Sequence, residues 1–387
     1  MAGIRGRRIL IDGSRAETGG GFTYLVNVIP ELGTQAPEDR FRVLVRSERI
    51  ARSIPPRPNV AIDLLPDASW WRRILFTYRD VPRLLREWQA DLYFSAGELA
   101  PLRASCPMIV SFRNPNVYTQ LDQGWYLKQR LRMPFLRELS RLASRTCDRV
   151  LFVSADSAAW IGDALAIPAA RRAVVHHGID AAAWARGEER SPLAYPYILS
   201  VSSIYRYKNF VRLIEAWAAL ARRRGDVPDL VIIGDDLDPE YSAQMREARA
   251  AAGGELAERI HILGEVPYAQ IAPYYAHAEL FVFPSYLETF GHPLLEAMAS
   301  GVAIVAADLP VFREIAGDAA RYADPHSCDA LAGAIEAVLF TRGERERRIQ
   351  LGSERVRQFG WDATARRLRA LFDDVLSARG AQSSSNR

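Results

Sequence analysis

Cysteine is scarce in this sequence, and long apolar runs are missing from it. The three cysteines, Cys106, Cys147 and Cys328, are too few and too scattered for a disulfide framework or a metal site. No run of about 18 apolar residues is present, which excludes a membrane-spanning helix. The basic N-terminal segment is not followed by a long apolar stretch, so we expect no secretory signal. These absences predict a cytoplasmic chain with reduced thiols.

Lysine is scarcer still. The chain has two lysines, Lys128 and Lys208, against 48 arginines, and its formal net charge is +4. Arginine replaces lysine readily on a solvated surface, but not where a compact point charge is required. Each remaining lysine is therefore a candidate functional residue. We interpret Lys128 as a lysine retained by chance. Lys208, for the reasons given below, is interpreted as a functional cation.

Apolar runs typical of buried parallel strands alternate with amphipathic helical stretches in both halves of the 387-residue chain. Strands are predicted at 7–12, 41–45, 60–65, 91–95, 107–112, 149–154, 173–177, 197–202, 229–234, 259–264, 279–285 and 302–308. Helices are predicted at 22–32, 70–89, 125–145, 155–166, 209–224, 239–252, 268–276, 293–300 and 328–340. This alternation predicts two doubly wound, Rossmann-like α/β domains.

The polar, proline-bearing segment 187–196 is the predicted linker between these domains. It separates an N-terminal domain, residues 1–190, from a C-terminal domain, residues 191–360. A helix at 361–378 follows, and we expect it to cross back to the first domain. The polar tail 379–387 is predicted to be disordered. Because ligands bind beyond the carboxyl ends of parallel strands, the segments that follow strands are the candidate functional segments.

Two glutamates, Glu288 and Glu296, lie eight positions apart in the stretch ETFGHPLLEAMASG. Gly291 and Pro293 between them argue against one continuous helix. Proline favours the first helical position, so we expect a helix to begin at Pro293, with Glu288 in the preceding loop and Glu296 one turn in. The first backbone N–H groups of such a helix, together with its positive dipole end, suit a diphosphate.

The longer segment FPSYLETFGHPLLEAMASGVAIVAADLPVFREIAGDAARYADP, residues 283–325, resembles the donor-binding segment of the retaining glycosyltransferases of family 4, which have the GT-B fold. The resemblance covers nearly all of residues 196–375 and extends to the first half only in layout. It implies two Rossmann-like domains that face each other across a cleft, with Glu288 at hydroxyls of the transferred sugar and Glu296 at the ribose hydroxyls. It also implies donor contacts through the backbone amides around Phe290, Gly291, Leu294 and Leu295.

Two further segments match the same family. Lys208 in SVSSIYRYKN matches the family lysine that pairs with the donor diphosphate. Ser203 stands where the family usually has an arginine, and Arg206 is the candidate for that second charge. In ETGGGFTYL, Gly20 and Gly21 match the glycine loop that faces the donor phosphates, although a simple strand–helix turn explains these glycines nearly as well.

Other polar clusters have weaker functional interpretations. Arg113 and Asn114 stand where many relatives carry a histidine near the reacting carbon, and we expect them either to bind acceptor or phosphate or to cap the loop. His176 and His177 lack a third ligand at metal-site spacing, so we interpret them as interdomain structure. The acids of DDLD, residues 235–238, are interpreted as a solvated loop. Because Lys208 and a helix start already supply positive charge, we expect no metal and no other cofactor.

Two helical stripes combine aromatic and aliphatic residues with flanking arginines. They comprise Trp71, Ile74, Leu75, Tyr78, Leu85 and Trp88, and Leu127, Leu131, Phe135, Leu139 and Leu142. Such stripes usually face a core, and we expect core packing. The flanking arginines also suit an anionic membrane surface, so peripheral contact at the inner face of the membrane is a second expectation. The diffuse charge and the lack of a recognition motif argue against nucleic-acid binding.

These features predict a retaining glycosyltransferase that moves a hexosyl group, mannosyl-like or related, from a nucleotide-diphosphate sugar to a glycan or lipid-linked acceptor in bacterial surface polysaccharide or glycolipid synthesis. Lys208 and Glu288 are the predicted catalytic residues. GDP-mannose and UDP-hexoses both remain open as donors. Two alternatives also remain open: a nucleotide-sugar epimerase or hydrolase on the same fold, and a non-catalytic nucleotide-sugar-binding scaffold at the membrane.

Overall fold

The computed structural model describes residues 6–16, 19–119, 127–185 and 190–385, without the side chains of 127–131 and 380–385. Within these residues the chain forms two compact units. The N-terminal unit extends to Gly178 and takes up the chain again from Trp361, whereas the C-terminal unit is Ile179–Gly360. The change of unit precedes the predicted linker at 187–196, of which residues 187–189 lie outside the described part of the chain.

The N-terminal unit is built on a seven-stranded parallel sheet with the strand order β3-β2-β1-β4-β5-β6-β7. The strands are β1 Arg8–Asp12, β2 Arg40–Val45, β3 Val60–Leu64, β4 Leu92–Ser95, β5 Met108–Phe112, β6 Arg149–Phe152 and β7 Arg172–Val174. The order reverses between β1 and β4, which is the topological switch point where doubly wound sheets bind ligands. Register pairs Asp12 with Ser95 there, so the carboxyl ends of β1 and β4 lie side by side.

Helices cover both faces of this sheet. They are α1 Gly20–Gln35, α2 Glu48–Ser53, α3 Trp70–Leu75, α4 Val81–Glu87, α5 Pro115–Tyr118, α6 Leu127–Thr146 and α7 Ala155–Ala164, with a 3-10 turn at Ala169–Arg171. A π-helical turn, Phe76–Asp80, joins α3 to α4 within the helix predicted at 70–89. Ile9 and Ile11 belong to one apolar cluster and Leu10 to another, since alternate strand residues face opposite sides of the sheet.

The C-terminal unit is built on a six-stranded parallel sheet with the strand order β10-β9-β8-β11-β12-β13. The strands are β8 Tyr197–Val201, β9 Asp229–Ile233, β10 Ile260–Gly264, β11 Leu280–Phe283, β12 Ile304–Ala307 and β13 Ala320–Ala323. The switch point of this sheet lies between β8 and β11. Both strands are buried along their whole length, as expected for central strands covered on two faces.

Nine α-helices of the described residues belong to this unit. They are α8 Ala181–Trp184, α9 Phe210–Arg223, α10 Pro239–Ala252, α11 Gly254–Glu258, α12 Ala272–Ala276, α13 His292–Ala299, α14 Pro310–Ala316, α15 Cys328–Phe340 and α16 Glu344–Val356; 3-10 turns lie at Arg206–Lys208, Tyr268–Gln270 and Gly317–Ala319. Trp217 on α9 is fully buried in the core, and its indole N–H donates to the Pro228 carbonyl at 2.9 Å. The predicted pair of doubly wound domains is confirmed.

The last helix, α17 Trp361–Ser385, belongs to the N-terminal unit. Its Leu368 and Phe372 join the apolar cluster around β1, and the Phe372 ring lies 5.7 Å from that of Phe94. The helix continues past residue 378 to Ser385, so the prediction of a disordered tail from 379 was wrong over most of that segment. These residues continue a helix that is already formed, and adding residues to an existing helix does not carry the cost of nucleating a new one.

The structure also corrects the expected core packing of the two helical stripes. Leu85 is buried, but Trp71 and Leu75 are about half exposed, as is Phe135 on α6. Trp70, next to Trp71, is 46% exposed and meets the Phe135 ring edge-on at 5.9 Å. The stripes therefore pack partly against each other at the surface. No helix in the described ranges is long and apolar enough to cross a membrane.

Candidate functional site

The loop after β8 places Lys208 at the switch point of the C-terminal sheet. Asn209 adopts the left-handed conformation, with φ of 65°, and ends the 3-10 turn that carries Lys208. The Asn209 amide donates to the carbonyl of Pro284 at 3.1 Å and to that of Pro325 at 2.7 Å. These bonds tie the loop after β8 to the segments after β11 and β13, so the backbone beside Lys208 is held on two sides.

Lys208 and Glu288 form a direct ion pair across the switch point. The Lys208 Nζ lies 2.5 Å from Glu288 Oε1, and each side chain is only 11% exposed. Ser285 Oγ donates to the same carboxylate oxygen at 3.1 Å. Burial lowers the pKa of Lys208, but the charge of Glu288 more than compensates, so the pKa lies above its ordinary value. Lys208 is therefore a fixed ammonium. The sequence predicted that Lys208 and Glu288 each follow a strand, and the pairing of β8 with β11 brings the two segments together.

The turn before α13 has the conformation that the glycine and proline predicted. Gly291 has φ of 92°, and a Cβ on it would lie 2.9 Å from the Phe312 ring, so both backbone and space require glycine. The helix begins at His292, one residue before the predicted start. Phe290, Leu294 and Leu295 are buried. The Leu294 N–H donates to the Gly291 carbonyl at 3.0 Å, so this amide is already engaged within the turn.

Glu296 lies on α13 and is buried between two tyrosines. The Tyr275 hydroxyl donates to Glu296 Oε2 at 2.9 Å, and the Tyr268 hydroxyl donates to Oε1 at 3.1 Å. Trp184 packs edge-on against both rings, at 5.4 Å and 5.6 Å. Burial raises the pKa of Glu296 to about 7, against the opposing effect of the two phenols. The sequence pattern found the glutamate but none of its aromatic partners.

Arg206 does not supply the free second charge that was expected of it. Its guanidinium lies 2.9 Å from Glu240 and 3.6 Å from Asp238, so two carboxylates already neutralise it. Asp238 in turn caps α10 by accepting from the Tyr241 N–H at 3.1 Å. The acids of DDLD are thus partly structural rather than a solvated loop, because Asp238 is buried at the helix start. Asp236 accepts from the Ser242 hydroxyl at 2.6 Å.

In the N-terminal unit, the glycine loop opens α1 directly. Gly20 is exposed and is the first residue of that helix. Gly21 packs against Ala16, since a Cβ on it would lie 2.9 Å from the Ala16 Cα. A close helix–loop contact is therefore a sufficient reason for glycine at 21. Residues 17 and 18 of the predicted loop lie outside the described part of the chain.

Arg113 and Asn114 follow β5, and both are partly structural. Asn114 caps α5 by accepting from the Asn116 N–H at 3.1 Å. The Arg113 guanidinium stacks on the Tyr24 ring, 3.7 Å from its centroid, and its Nε donates to the Ser111 hydroxyl at 2.8 Å. Burial lowers the pKa of Arg113. Asn114 therefore has the loop-capping role that was the alternative expectation. Arg113 is a buried cation at the carboxyl end of β5.

The histidine pair packs within the N-terminal unit. The His177 ring lies 5.0 Å from the Tyr24 ring and 6.2 Å from the Trp361 ring, and the His176 carbonyl accepts from the Thr364 hydroxyl at 2.9 Å. The pair thus helps to hold α17 on this unit. Over the described residues, no group of three or more His, Cys, Asp or Glu side chains is arranged to hold a metal ion.

Two family models match the chain, one in each half. The model of the glycosyl transferases group 1 matches residues 185–355. The model of glycosyltransferase family 4 matches residues 18–183. The two matches together extend over most of the sequence, and the first contains Lys208, Glu288 and Glu296.

Curated relatives match over shorter stretches. The O-antigen chain mannosyltransferase B of Escherichia coli is 39% identical over 103 residues, which are 27% of this chain and 27% of that protein. A D-inositol 3-phosphate glycosyltransferase of Corynebacterium glutamicum (strain R) is 30% identical over 228 residues, which are 54% of this chain and 52% of that protein. The chain thus spans between about a quarter and a half of the length of these curated relatives.

Among solved structures, the crystal structure of Anabaena HepE in complex with UDP and glucose is similar along nearly its whole length. It aligns with a TM-score of 0.73 at 18% identity, over 95% of this chain and 100% of that chain. At this identity the likeness establishes a shared fold, the two-domain fold of that structure.

Proposed function

The chain belongs to the glycosyltransferases of group 1 and family 4, and we propose that it is a retaining enzyme that moves a hexosyl group, mannosyl or related, from a nucleotide-diphosphate sugar to a glycan or lipid-linked acceptor. The proposed setting is bacterial surface polysaccharide or glycolipid synthesis. The name of the Escherichia coli relative, an O-antigen chain mannosyltransferase, supports both the sugar and the setting. HepE, solved with UDP and glucose, supports a nucleotide-linked donor.

The observation that carries the proposal is the buried Lys208–Glu288 pair at the switch point of the C-terminal sheet. A ligand bound at this switch point meets one fixed ammonium and one carboxylate, 2.5 Å apart. An ammonium suits a diphosphate, and a carboxylate accepts hydrogen bonds from sugar hydroxyls. Glu296, one turn into α13, is the proposed acceptor of the ribose hydroxyl hydrogen bonds. Its two tyrosine partners hold the carboxylate in place.

In the proposed reaction the bond from the anomeric carbon to the diphosphate oxygen breaks, and the diphosphate leaves with the electron pair. The acceptor hydroxyl attacks the same face of the sugar, and its proton passes to the departing phosphate oxygen. Lys208 stabilises the negative charge that develops on the diphosphate. Glu288 orients the sugar through its hydroxyls. No metal or other cofactor enters the proposal.

Sugar transfer by variants tests these roles. Lys208→Ala should lower turnover by about 100- to 1000-fold, the cost of removing one preorganised electrostatic group from an active site. Glu288→Gln should also lower transfer, because it removes the carboxylate that orients the sugar. The matched controls are Lys128→Ala, which removes the other lysine, and Glu247→Gln on the exposed side of α10. Unchanged turnover in the two site variants would overturn the residue roles.

The same assay separates the alternative functions. An epimerase or hydrolase releases product without any acceptor, whereas a transferase forms product in proportion to acceptor. A non-catalytic scaffold tolerates the loss of Lys208 and Glu288. Unfolding temperatures measured with added nucleotides identify the base of the donor, since a bound nucleotide raises apparent stability according to its affinity. For a mannosyl donor we expect GDP to stabilise the protein more than UDP.

Membrane contact is the remaining part of the proposal. Trp70, Trp71, Leu75 and Phe135 form an exposed apolar patch on the N-terminal unit. The guanidinium of Arg72 lies 5.1 Å from the Trp71 ring. Aromatic side chains beside arginines suit an anionic lipid surface. Co-sedimentation with phosphatidylglycerol vesicles tests this contact: Trp70→Ala with Trp71→Ala should reduce binding, and equal binding by this variant and the unchanged protein would reject it.

A further inference from the structure

Arg15, at the switch point of the N-terminal sheet, and Tyr78, on the π-helical turn, have buried polar atoms without a hydrogen-bond partner in the described residues. Arg15 follows β1, and its Nε and Nη2 atoms are buried without a hydrogen-bond partner among the described residues. The Tyr78 hydroxyl is also buried without a hydrogen-bond partner in the described chain. The Tyr78 phenol lies within range of the Arg15 charge, which lowers its pKa against the larger, raising effect of burial. Buried donors of this kind are rare in folded proteins and call for an explanation.

The position of Arg15 is set by the loop after β4. Its side chain runs across Gly97, where an added Cβ would lie 3.0 Å from the Arg15 Cβ and 3.4 Å from its Cδ. A larger residue at 97 would press against this arginine side chain. The guanidinium therefore lies at the junction of the segments that follow β1 and β4. In doubly wound sheets that junction is where ligands bind.

Nearby carboxylates do not form hydrogen bonds with Arg15. Asp12 accepts from the Ser14 N–H at 3.0 Å and from the Tyr93 hydroxyl at 2.9 Å. Glu98 accepts from the N–H groups of Arg113 and Asn114, at 3.3 Å and 3.1 Å. Both acids act on Arg15 only through their charge, and burial lowers the pKa of Arg15 all the same. A buried guanidinium with free donors is costly to keep unless a ligand completes it.

We propose that Arg15 and Tyr78 bind an oxyanion group, a phosphate or a carboxylate, carried by the acceptor. The inference rests on the proposed function in that it names the class of acceptor. A guanidinium offers parallel N–H donors that match two oxygens of such a group, and a phenol adds one more donor. The donor diphosphate already has its own cation in Lys208 on the C-terminal unit. The anion at Arg15 is therefore assigned to the other substrate.

Binding of small anions tests the site without any catalysis. Inorganic phosphate and acetate are titrated calorimetrically into the full chain, saturated with whichever of GDP or UDP stabilises it. Arg15→Gln should weaken binding of the preferred anion by about tenfold or more, the size expected for a charge-assisted hydrogen bond. Tyr78→Phe should weaken it by about fivefold. Arg52→Gln, at a side chain that is 81% exposed on α2, is the matched control and should bind as the unchanged protein does.

Each outcome decides one part of the proposal. Tighter phosphate than acetate assigns a phosphate-bearing acceptor, and the reverse assigns a carboxylate-bearing one. Equal binding by Arg15→Gln and by the unchanged protein overturns the site; if the arginine variant does not fold, equal binding by Tyr78→Phe overturns it. Loss of anion binding on saturation with nucleotide overturns the assignment to the acceptor. Since no sugar transfer is measured, an inactive protein that still binds phosphate through Arg15 contradicts the proposed function and not this site.

Discussion

At the switch point of the C-terminal sheet the buried cation pairs with an anion, whereas at that of the N-terminal sheet a cation with buried donor atoms has no hydrogen-bonded anion among the described residues. Lys208 has Glu288, and Glu296 has two phenols. Arg15 has carboxylates nearby but no hydrogen bond to them, and Tyr78 has a buried hydroxyl in the same state. Lys208, Glu288 and Glu296 have their partners without a ligand, whereas two donor atoms of Arg15 have none in the described residues. The two units should therefore respond in opposite ways when their cations are removed.

The largest effect is expected at the Lys208–Glu288 pair. Lys208→Met leaves a carboxylate that is 11% exposed without its cation, and Glu288→Gln leaves the ammonium without its anion. Breaking a buried pair on one side costs about 3 to 5 kcal/mol of unfolding free energy. The double variant should be more stable than either single one, because it leaves no unpaired charge. Thermal unfolding of the four proteins measures this cycle, and additive losses would show that the pair is not coupled.

The glutamate pattern and the strand–helix alternation could be predicted because each is local in sequence. Lys208, Glu288 and Glu296 each follow a recognisable apolar run, and Gly291 and Pro293 indicate the turn between the two glutamates. Tyr275 could not be assigned to Glu296 in advance, because a tyrosine in an amphipathic helix gives no sign of which acid its hydroxyl meets. β13 was not predicted, since Arg321 and Tyr322 interrupt its apolar run.

The N-terminal switch point was harder to predict for the same reason. Arg15 is one arginine among 48, and Tyr78 was assigned to a core stripe. They belong to segments that are far apart in the sequence, and no local pattern relates them. The exposure of Trp71 and Leu75 likewise depends on which helix lies beside α3, which periodicity alone does not specify.

A smaller effect, and one that depends on pH, is expected at Glu296. Its pKa of about 7 in the folded chain lies above the ordinary value of 4.5, so the folded state holds the proton more tightly than the unfolded state between these values. The stability of the unchanged protein should therefore fall as pH rises from 4.5 to 7. Glu296→Gln removes this loss, and its advantage should grow across that window to at most about 3 kcal/mol.

Unfolding midpoints at about pH 5 and about pH 8, on either side of most of that window, measure this difference. Glu247→Gln, an exposed acid on α10, is the control and should show a flat difference. A constant effect of Glu296→Gln at both pH values would mean that Glu296 is ionised throughout. The C-terminal switch point would then also hold a buried charge without an ion-pair partner, as the N-terminal switch point does at Arg15.

The smallest effect is expected at Arg15, and its sign is opposite to that of Lys208→Met. Arg15→Met keeps the stem that packs on Gly97 and removes a buried charge whose Nε and Nη2 have no hydrogen-bond partner in the described chain. The variant should gain about 1 kcal/mol of unfolding free energy, as substitutions at strained or unsatisfied binding positions often do. Thermal unfolding in phosphate-free buffer measures the gain, and added phosphate should narrow it, because only the unchanged protein binds the anion. A loss similar to that of Lys208→Met would place Arg15 among the structural ion pairs and remove the contrast between the two units.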